Sequence, residues 1–159
     1  MAQQIPFVQS VFHPTDFSES TLPALQAAHH LAQELRCRLV ICFITHPPLV
    51  ARGDEVIDPK TDESRNVLAE LESLAPKDPH VNRELQVVVV DQSTGVKGLL
   101  AVIERPDCDL LVLGMHKRSG VAGWFSSSIT EEVVRRAKTA VLVVKHQAEE
   151  AGPEEAGAE

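Results

Sequence analysis

Apolar residues gather in five short runs separated by longer amphipathic stretches. Four runs are rich in β-branched and aliphatic residues: Phe7–His13 (FVQSVFH), Arg38–Thr45 (RLVICFIT), Leu85–Asp91 (LQVVVVD) and Ala140–His146 (AVLVVKH). The fifth, Cys108–Gly114 (CDLLVLG), is leucine-rich and similar in length. Three of the five are nearly continuous rather than alternating, the pattern of strands covered on both faces in a parallel sheet. The intervening stretches follow helical spacing. Ser18–Arg36 sets Leu22, Leu25, Ala28, Leu31, Ala32 and Leu35 at three- and four-residue steps, with Pro23 in its first turn. Thr61–Ala75 carries Val67, Leu68, Leu71 and Leu74 and ends before Pro76. Gly98–Glu104 carries Leu99, Leu100, Val102 and Ile103 and ends before Pro106, and Ser128–Lys138 carries Ile129, Val133, Val134 and Ala137.

The order β-α-β-α-β-α-β-α-β predicts an α/β fold: a three-layer, open, parallel five-stranded sheet with right-handed crossovers and helices on both faces. Such sheets bind ligands beyond the carboxyl ends of their strands, where strand order reverses. His46–Lys60 reads as an irregular insertion and a candidate lid. One domain is expected over residues 1–146, and the acidic, aromatic-free residues 147–159 are expected to be disordered.

Charge and cysteine content narrow the function class. The net charge is −8, of which Glu149, Glu150, Glu154, Glu155 and Glu159 supply five, leaving −3 on the body. No cluster of Lys and Arg suits a nucleic-acid backbone. No apolar run reaches the ~18 residues of a membrane span, and the opening MAQQIPFVQSVFHP lacks the pattern of a signal peptide. Cys37, Cys42 and Cys108 form no CxxC pair and adjoin apolar runs, so they read as small buried hydrophobes in a reducing, cytoplasmic setting. His29 and His30 are adjacent and cannot share a helix face, so they do not read as metal ligands. Trp124 and Phe125, in a loop after Gly123, suit anchoring on the core or a partner surface.

Two stretches hold candidate chemistry. Just past the first run, in His13-Pro14-Thr15-Asp16-Phe17-Ser18, Asp16 offers a carboxylate to an amine or hydroxyl of a ligand. Helix capping is the alternative there, since Asp16 and Glu19 have capping-box spacing and Ser18 is a good N-cap. The second stretch, LGMHKRSGVAGWFSSSITEEVVRR, leaves the Cys108–Gly114 run at Gly114, passes His116, Lys117 and Arg118, and enters a helix through Ser126, Ser127 and Ser128. A helix N-terminus with serine hydroxyls suits an anion. Ser128 and Glu131 equally form a capping box that needs no ligand. The sequence contains neither a GxxxxGK[ST] phosphate loop nor a GxSxG nucleophile elbow.

Over Phe7–His146 the chain resembles the universal stress proteins of the single-domain kind. The resemblance rests on VFHPTDFSESTLPAL, on the strands Asp109–Gly114 and Thr139–Lys145, and on the Gly114 loop, which is similar to the family's ATP signature of Gly, two residues, Gly, nine residues, Gly, then Ser or Thr. Gly114 matches the first glycine, His116 the common histidine and Ser128 the hydroxyl residue. Lys117 and Ser127 stand where the second and third glycines belong. The resemblance implies an adenine nucleotide α-hydrolase-like (Rossmann-like) fold with the first strand beside the fourth. It implies that Pro14, Thr15, Asp16 and the backbone near Ile44 face adenine and ribose. Leu113, Gly114, His116 and Lys117 would then approach ribose and phosphates, and Ser127, Ser128, Ile129 and Thr130 would wrap the phosphates.

The implied ligand is ATP, with Mg²⁺ or Mn²⁺ on its phosphates. The implied assembly is a homodimer pairing through the last strand, Ala140–His146, which as an exposed Val-rich edge would otherwise invite association. No constellation for efficient hydrolysis is present, so a regulatory binding protein rather than an enzyme is expected. The two missing glycines resemble the branch typified by universal stress protein A, which does not retain ATP. The alternative is therefore a degenerate site in a protein that acts through protein partners.

Overall fold

Five strands, β1 (Ser10–Thr15), β2 (Arg38–Thr45), β3 (Arg83–Val89), β4 (Leu110–Met115) and β5 (Ala140–Lys145), form one sheet in the order β3-β2-β1-β4-β5. Every neighbouring pair is parallel. This is a computed structural model, and it describes residues 8–17, 19–45, 62–89, 96, 100, 103–115 and 127–145. Helices α1 (Leu22–Leu35), α2 (Asp62–Leu74) and α3 (Ser127–Arg136) alternate with the strands. Val96, Leu100 and Ile103 are also helical, the last two within the stretch Gly98–Glu104 where a helix is expected. The stretches 46–60 and 147–159, with His146, Trp124 and Phe125, lie outside the described residues.

The near-continuous apolar runs are explained by the two faces of the sheet. On one face Val11, Leu39, Ile41 and Val112 pack against Ala24, Leu25, Ala28 and Ala32 of α1 and Leu71 of α2. On the other, Phe12, Val40, Cys42, Leu111 and Leu113 pack against Leu100, Ile103 and Val133. Residues adjacent in a strand thus enter opposite cores, and both must be apolar. Helix α1 meets the sheet mainly through alanines, while Leu22 and Leu35 at its ends are exposed. Val134 is likewise 47% exposed, so the expected apolar stripe of α3 narrows.

Strand boundaries depart from the hydrophobic pattern where backbone pairing ignores side-chain polarity. β3 starts at Arg83 rather than Leu85, because Arg83 and Glu84 pair with Leu39 and Val40. β4 starts at Leu110 rather than Cys108, whose N–H is taken by Arg105 O at 3.0 Å in the preceding turn. β1 begins at Ser10 rather than Phe7 and continues through Pro14 to Thr15, past the expected end at His13. Its pairing with β2 runs to Thr15↔Phe43, whereas its pairing with β4 covers Val11↔Leu110 and Phe12↔Leu111. A proline is tolerated where one flank of the strand has stopped pairing.

Two polar assemblies hold the amino end of the sheet. Arg38 donates to Glu84 (2.9 Å) and Asp107 (3.0 Å), Arg105 donates to Asp107 (3.1 Å) and Gln86 (2.8 Å), and Gln86 closes the ring on Glu84 (2.6 Å). Partial burial works against the charge of Asp107, but the hydrogen bond from Arg38 and the charge of Arg105 prevail and hold its carboxyl below the usual range. The second assembly centres on Asp109, whose carboxylate accepts the N–H groups of Gln9 (2.9 Å) and Ser10 (3.1 Å). The Ser10 hydroxyl donates to Asp107 O. Together these bonds clamp the start of β1 to the entry of β4. Asp109→Ala is expected to lower the unfolding free energy by about 2 kcal/mol, from loss of a charged acceptor to two backbone donors. Asp109→Asn keeps one acceptor oxygen and should lose less than half of that, as read by urea denaturation.

Candidate functional site

Strand order reverses between β1 and β4, the crevice where open α/β sheets hold ligands. The chain leaves β1 toward α1 on one face and leaves β4 toward α3 on the other, so the two carboxyl ends frame an opening. Thr15 ends β1 and Asp16 follows it at once. Leu113 and Gly114 are buried in β4, next to its last residue, Met115. The 99-residue offset of the Val11↔Leu110 and Phe12↔Leu111 pairs puts Thr15 level with Gly114. Asp16 and Gly114 therefore meet at one opening from positions almost a hundred residues apart.

His13 stands where the β1–β4 backbone pairing ends. Its side chain is fully buried, and Nδ1–H donates to Val112 O at 3.0 Å. A side-chain bond thus takes over from the ladder and ties the diverging strands together. That bond fixes the neutral tautomer and leaves Nε2 a bare acceptor without a partner among the described residues. Burial pushes the His13 pKa down to about 4, opposed in part by the Val112 carbonyl and the charge of Asp16.

The turn that presents Asp16 is built from local contacts. Phe17 has φ 65°, in the left-handed region, where a bulky side chain is unfavourable. It is held there by stacking on Phe43 of β2, with ring centroids 4.5 Å apart, and by its N–H, which donates to Thr15 Oγ1 at 3.2 Å. Thr15 Oγ1 also bonds Thr21 Oγ1 at 3.1 Å. A 3-10 turn, Glu19–Thr21, follows, and the N-cap of α1 is Thr21, with no side-chain cap. Capping of α1 by Asp16 or Ser18, the alternative role considered for this stretch, is therefore not how the helix starts. Pro23 falls in the first turn as expected.

On the β4 side, α3 begins at Ser127. Thr130, in its first turn, is buried, and its hydroxyl has no partner among the described residues. Ile129 packs on the core beside it. The backbone of Ile44 pairs with Val88 in the β2–β3 ladder. The side chains of Ile44, Ser127 and Ser128, and all of His116 and Lys117, lie outside the described residues. Pro14, Thr15, Asp16, Leu113 and Gly114 are thus the expected site residues that strand order brings to the β1–β4 opening, while Thr130 is buried in the first turn of α3.

His13 and Phe17 are the positions that sequence reasoning missed. The run FVQSVFHP carried a signal for the first, since a histidine inside a buried strand needs a specific partner. A phenylalanine carries no mark of positive φ. The thiols of Cys42 and Cys108 are buried and pushed up to about 12, chiefly by that burial, which fits their reading as core residues. His29 lies 3.5 Å from Asp78, and no metal-holding cluster occurs among the described residues.

A three-layer parallel α/β protein whose strand order reverses between a strand followed by a carboxylate and a strand ending in a glycine belongs to the open sheets that hold ligands at that reversal. The profile of the universal stress protein family matches residues 8–145, and the chain belongs to that family. No curated protein sequence matches it. Among solved structures, a universal stress protein crystallised in complex with cAMP is 27% identical, with a TM-score of 0.59 over 88% of this chain and 98% of the other. A family member from Burkholderia pseudomallei is 21% identical (TM-score 0.57, 88% and 98% covered). One from Archaeoglobus fulgidus, in complex with dAMP, is 16% identical (TM-score 0.56, 89% and 100% covered). The last two share the fold.

Neutral His13 makes stability depend on pH. Above the unfolded-state pKa of about 6.5 both states are uncharged and the contribution is flat. As pH falls from there toward 4, the unfolded chain takes up a proton that the folded protein refuses. About 3 kcal/mol of stability should be lost over that window. His13→Asn retains a donor for Val112 O without a titrating group. Denaturation at a series of pH values should show this variant losing markedly less between pH ~6.5 and ~4 than the parent.

Proposed function

We propose that the protein is a stress-response regulator that binds an adenine nucleotide, ATP, in the β1–β4 opening. The observation that carries this reading is the buried Thr130 hydroxyl, without a partner among the described residues, in the first turn of the helix that follows β4 and its Cβ-free Gly114. An orphaned buried donor at a helix N-terminus is what a phosphate oxygen satisfies. A glycine lets the ligand come close to the backbone. Asp16 would accept from the ribose hydroxyls or the adenine amine. The 27%-identical relative crystallised with cAMP supports an adenine nucleotide as the ligand class. A divalent ion, Mg²⁺ or Mn²⁺, would supply charge neutralisation to the phosphates; Asp16 is the one carboxylate among the described residues that end β1 and β4.

We read this as a binding site rather than a catalytic one, with slow hydrolysis at most, since a lone carboxylate provides no acid–base pair. The β5 edge supports a homodimer. Its residues are exposed or half-buried throughout, and Leu142 is 39% exposed. Pairing two such edges across a two-fold would cover both. The second reading, a degenerate site in a protein that works through partners, is favoured by Lys117 and Ser127 where glycines would open the loop.

Calorimetric titration with ATP and Mg²⁺ separates the two. Saturable binding that Asp16→Ala weakens about tenfold, the scale of one charged hydrogen bond, supports the nucleotide site. No heat at millimolar nucleotide would leave the partner-dependent reading. The double substitution Lys117→Gly, Ser127→Gly should tighten binding if backbone approach is what limits it. In sedimentation, the parent is expected as a dimer at micromolar concentration, and Leu142→Glu, which puts like charges across the proposed edge, as a monomer.

A further inference from the structure

At the amino ends of β1, β2 and β3, away from Asp16 and Gly114, a cavity of about 600 Å³ opens between the C-terminal end of α1 and the turn entering β3. Its wall carries Arg36, Arg38, His80, Gln9, Gln33 and Asn82 over the Cys37 thiol. These polar groups are two arginines, an imidazole and amides, with no carboxylate among them. The carboxylates nearby are committed elsewhere. Glu84 and Asp107 hold Arg38 at 2.9 and 3.0 Å, and Asp109 accepts the N–H groups of Gln9 and Ser10. Asp78 faces His29 at 3.5 Å and accepts the N–H of His80 at 2.8 Å.

Arg36 differs from the ion-paired arginines of the described residues. Arg38, Arg83, Arg105, Arg135 and Arg136 each face a carboxylate. The Arg36 guanidinium has no hydrogen-bond or ion-pair partner among the described residues. Its backbone is the left-handed C-cap of α1, φ 52°, where its N–H closes on the helix carbonyls and where glycine or asparagine fits best. An arginine at that position lines the cavity with a cation that no carboxylate among the described residues compensates, in a protein whose net charge is −8.

We propose that this cavity is a second ligand site, distinct from the β1–β4 opening, that takes a small hydroxylated phosphate monoester. The planar guanidinium of Arg36 matches two phosphate oxygens at once, with His80 as a further donor. The amides of Gln9, Gln33 and Asn82 both donate and accept, as hydroxyl groups require. The volume lies in the range of small-molecule sites and exceeds what a bare phosphate fills.

The test is a titration of the ¹⁵N-labelled full chain with glycerol 3-phosphate and, separately, with inorganic phosphate, followed by amide chemical shifts. Saturable shifts are expected at Arg36, Cys37 and Asn82, with glycerol 3-phosphate binding more tightly. Arg36→Gly should weaken binding about tenfold or more. Glycine suits the left-handed C-cap, so the variant should melt no lower than the parent, which separates loss of the site from loss of the fold. Arg135→Ala, which removes an exposed cation far from the cavity, should bind like the parent. The proposal is overturned by the absence of saturable shifts at millimolar ligand, by unchanged affinity in Arg36→Gly, or by shifts confined to the Thr15 and Gly114 end. Equal affinity for the two ligands would overturn the assignment to an ester.

Discussion

The parallel pairing of β1 with β4 is the constraint on which the rest of this structure depends. These strands are nearly a hundred residues apart in the chain, and their register covers only Val11↔Leu110 and Phe12↔Leu111. So short a ladder is reinforced at both ends. Asp109 gathers the N–H groups of Gln9 and Ser10 at the amino end, and His13 reaches Val112 O at the other. Because the order reverses here, α1 and α3 leave toward opposite faces, and the gap between them becomes the candidate nucleotide site. The clamp that secures the sheet is therefore also what defines the opening.

The polar groups along this junction follow from their depth. His13 is buried among apolar neighbours, so it is kept neutral and spends its one donor on a carbonyl. The thiols of Cys42 and Cys108 are held protonated for the same reason. At the better-solvated amino end the arrangement changes. Arg38 and Arg105 share Asp107, and Glu84 and Gln86 complete a ring that spans β2, β3 and the entry to β4. Its members are partly exposed, so solvent screens their attraction, and their main effect is to fix geometry. Arg36 lies outside this compensation, which gives the amino-end cavity a different character from its surroundings.

Much of the architecture was legible because two periodicities were clean. Near-continuous runs such as RLVICFIT and TAVLVVK mark strands with a core on each face, and the three- to four-residue spacing of Leu68, Leu71 and Leu74 marks a helix. Element boundaries were less legible. Arg83 and Glu84 read as polar yet pair in the ladder, and Pro14 reads as a terminator yet continues β1, because hydrogen bonding is a property of the backbone and not of side-chain polarity.

By itself, the sequence determined the alternation of strands and helices, the parallel sheet, and the likeness of the HPTDFS turn and the Gly114 loop to a nucleotide site. Those features rest on local patterns of neighbouring residues. Tertiary structure alone decided that Asp16 and Gly114 share one opening, that the Thr130 hydroxyl is buried without a partner among the described residues, that Phe17 takes a left-handed backbone against Phe43, that His13 is a buried neutral tie, and that Arg36 faces a cavity without a carboxylate. Each of these depends on contacts or on solvent exclusion set by strand order. Burial, charge compensation and backbone strain arise from the surroundings of a residue, and those exist only once distant segments have met.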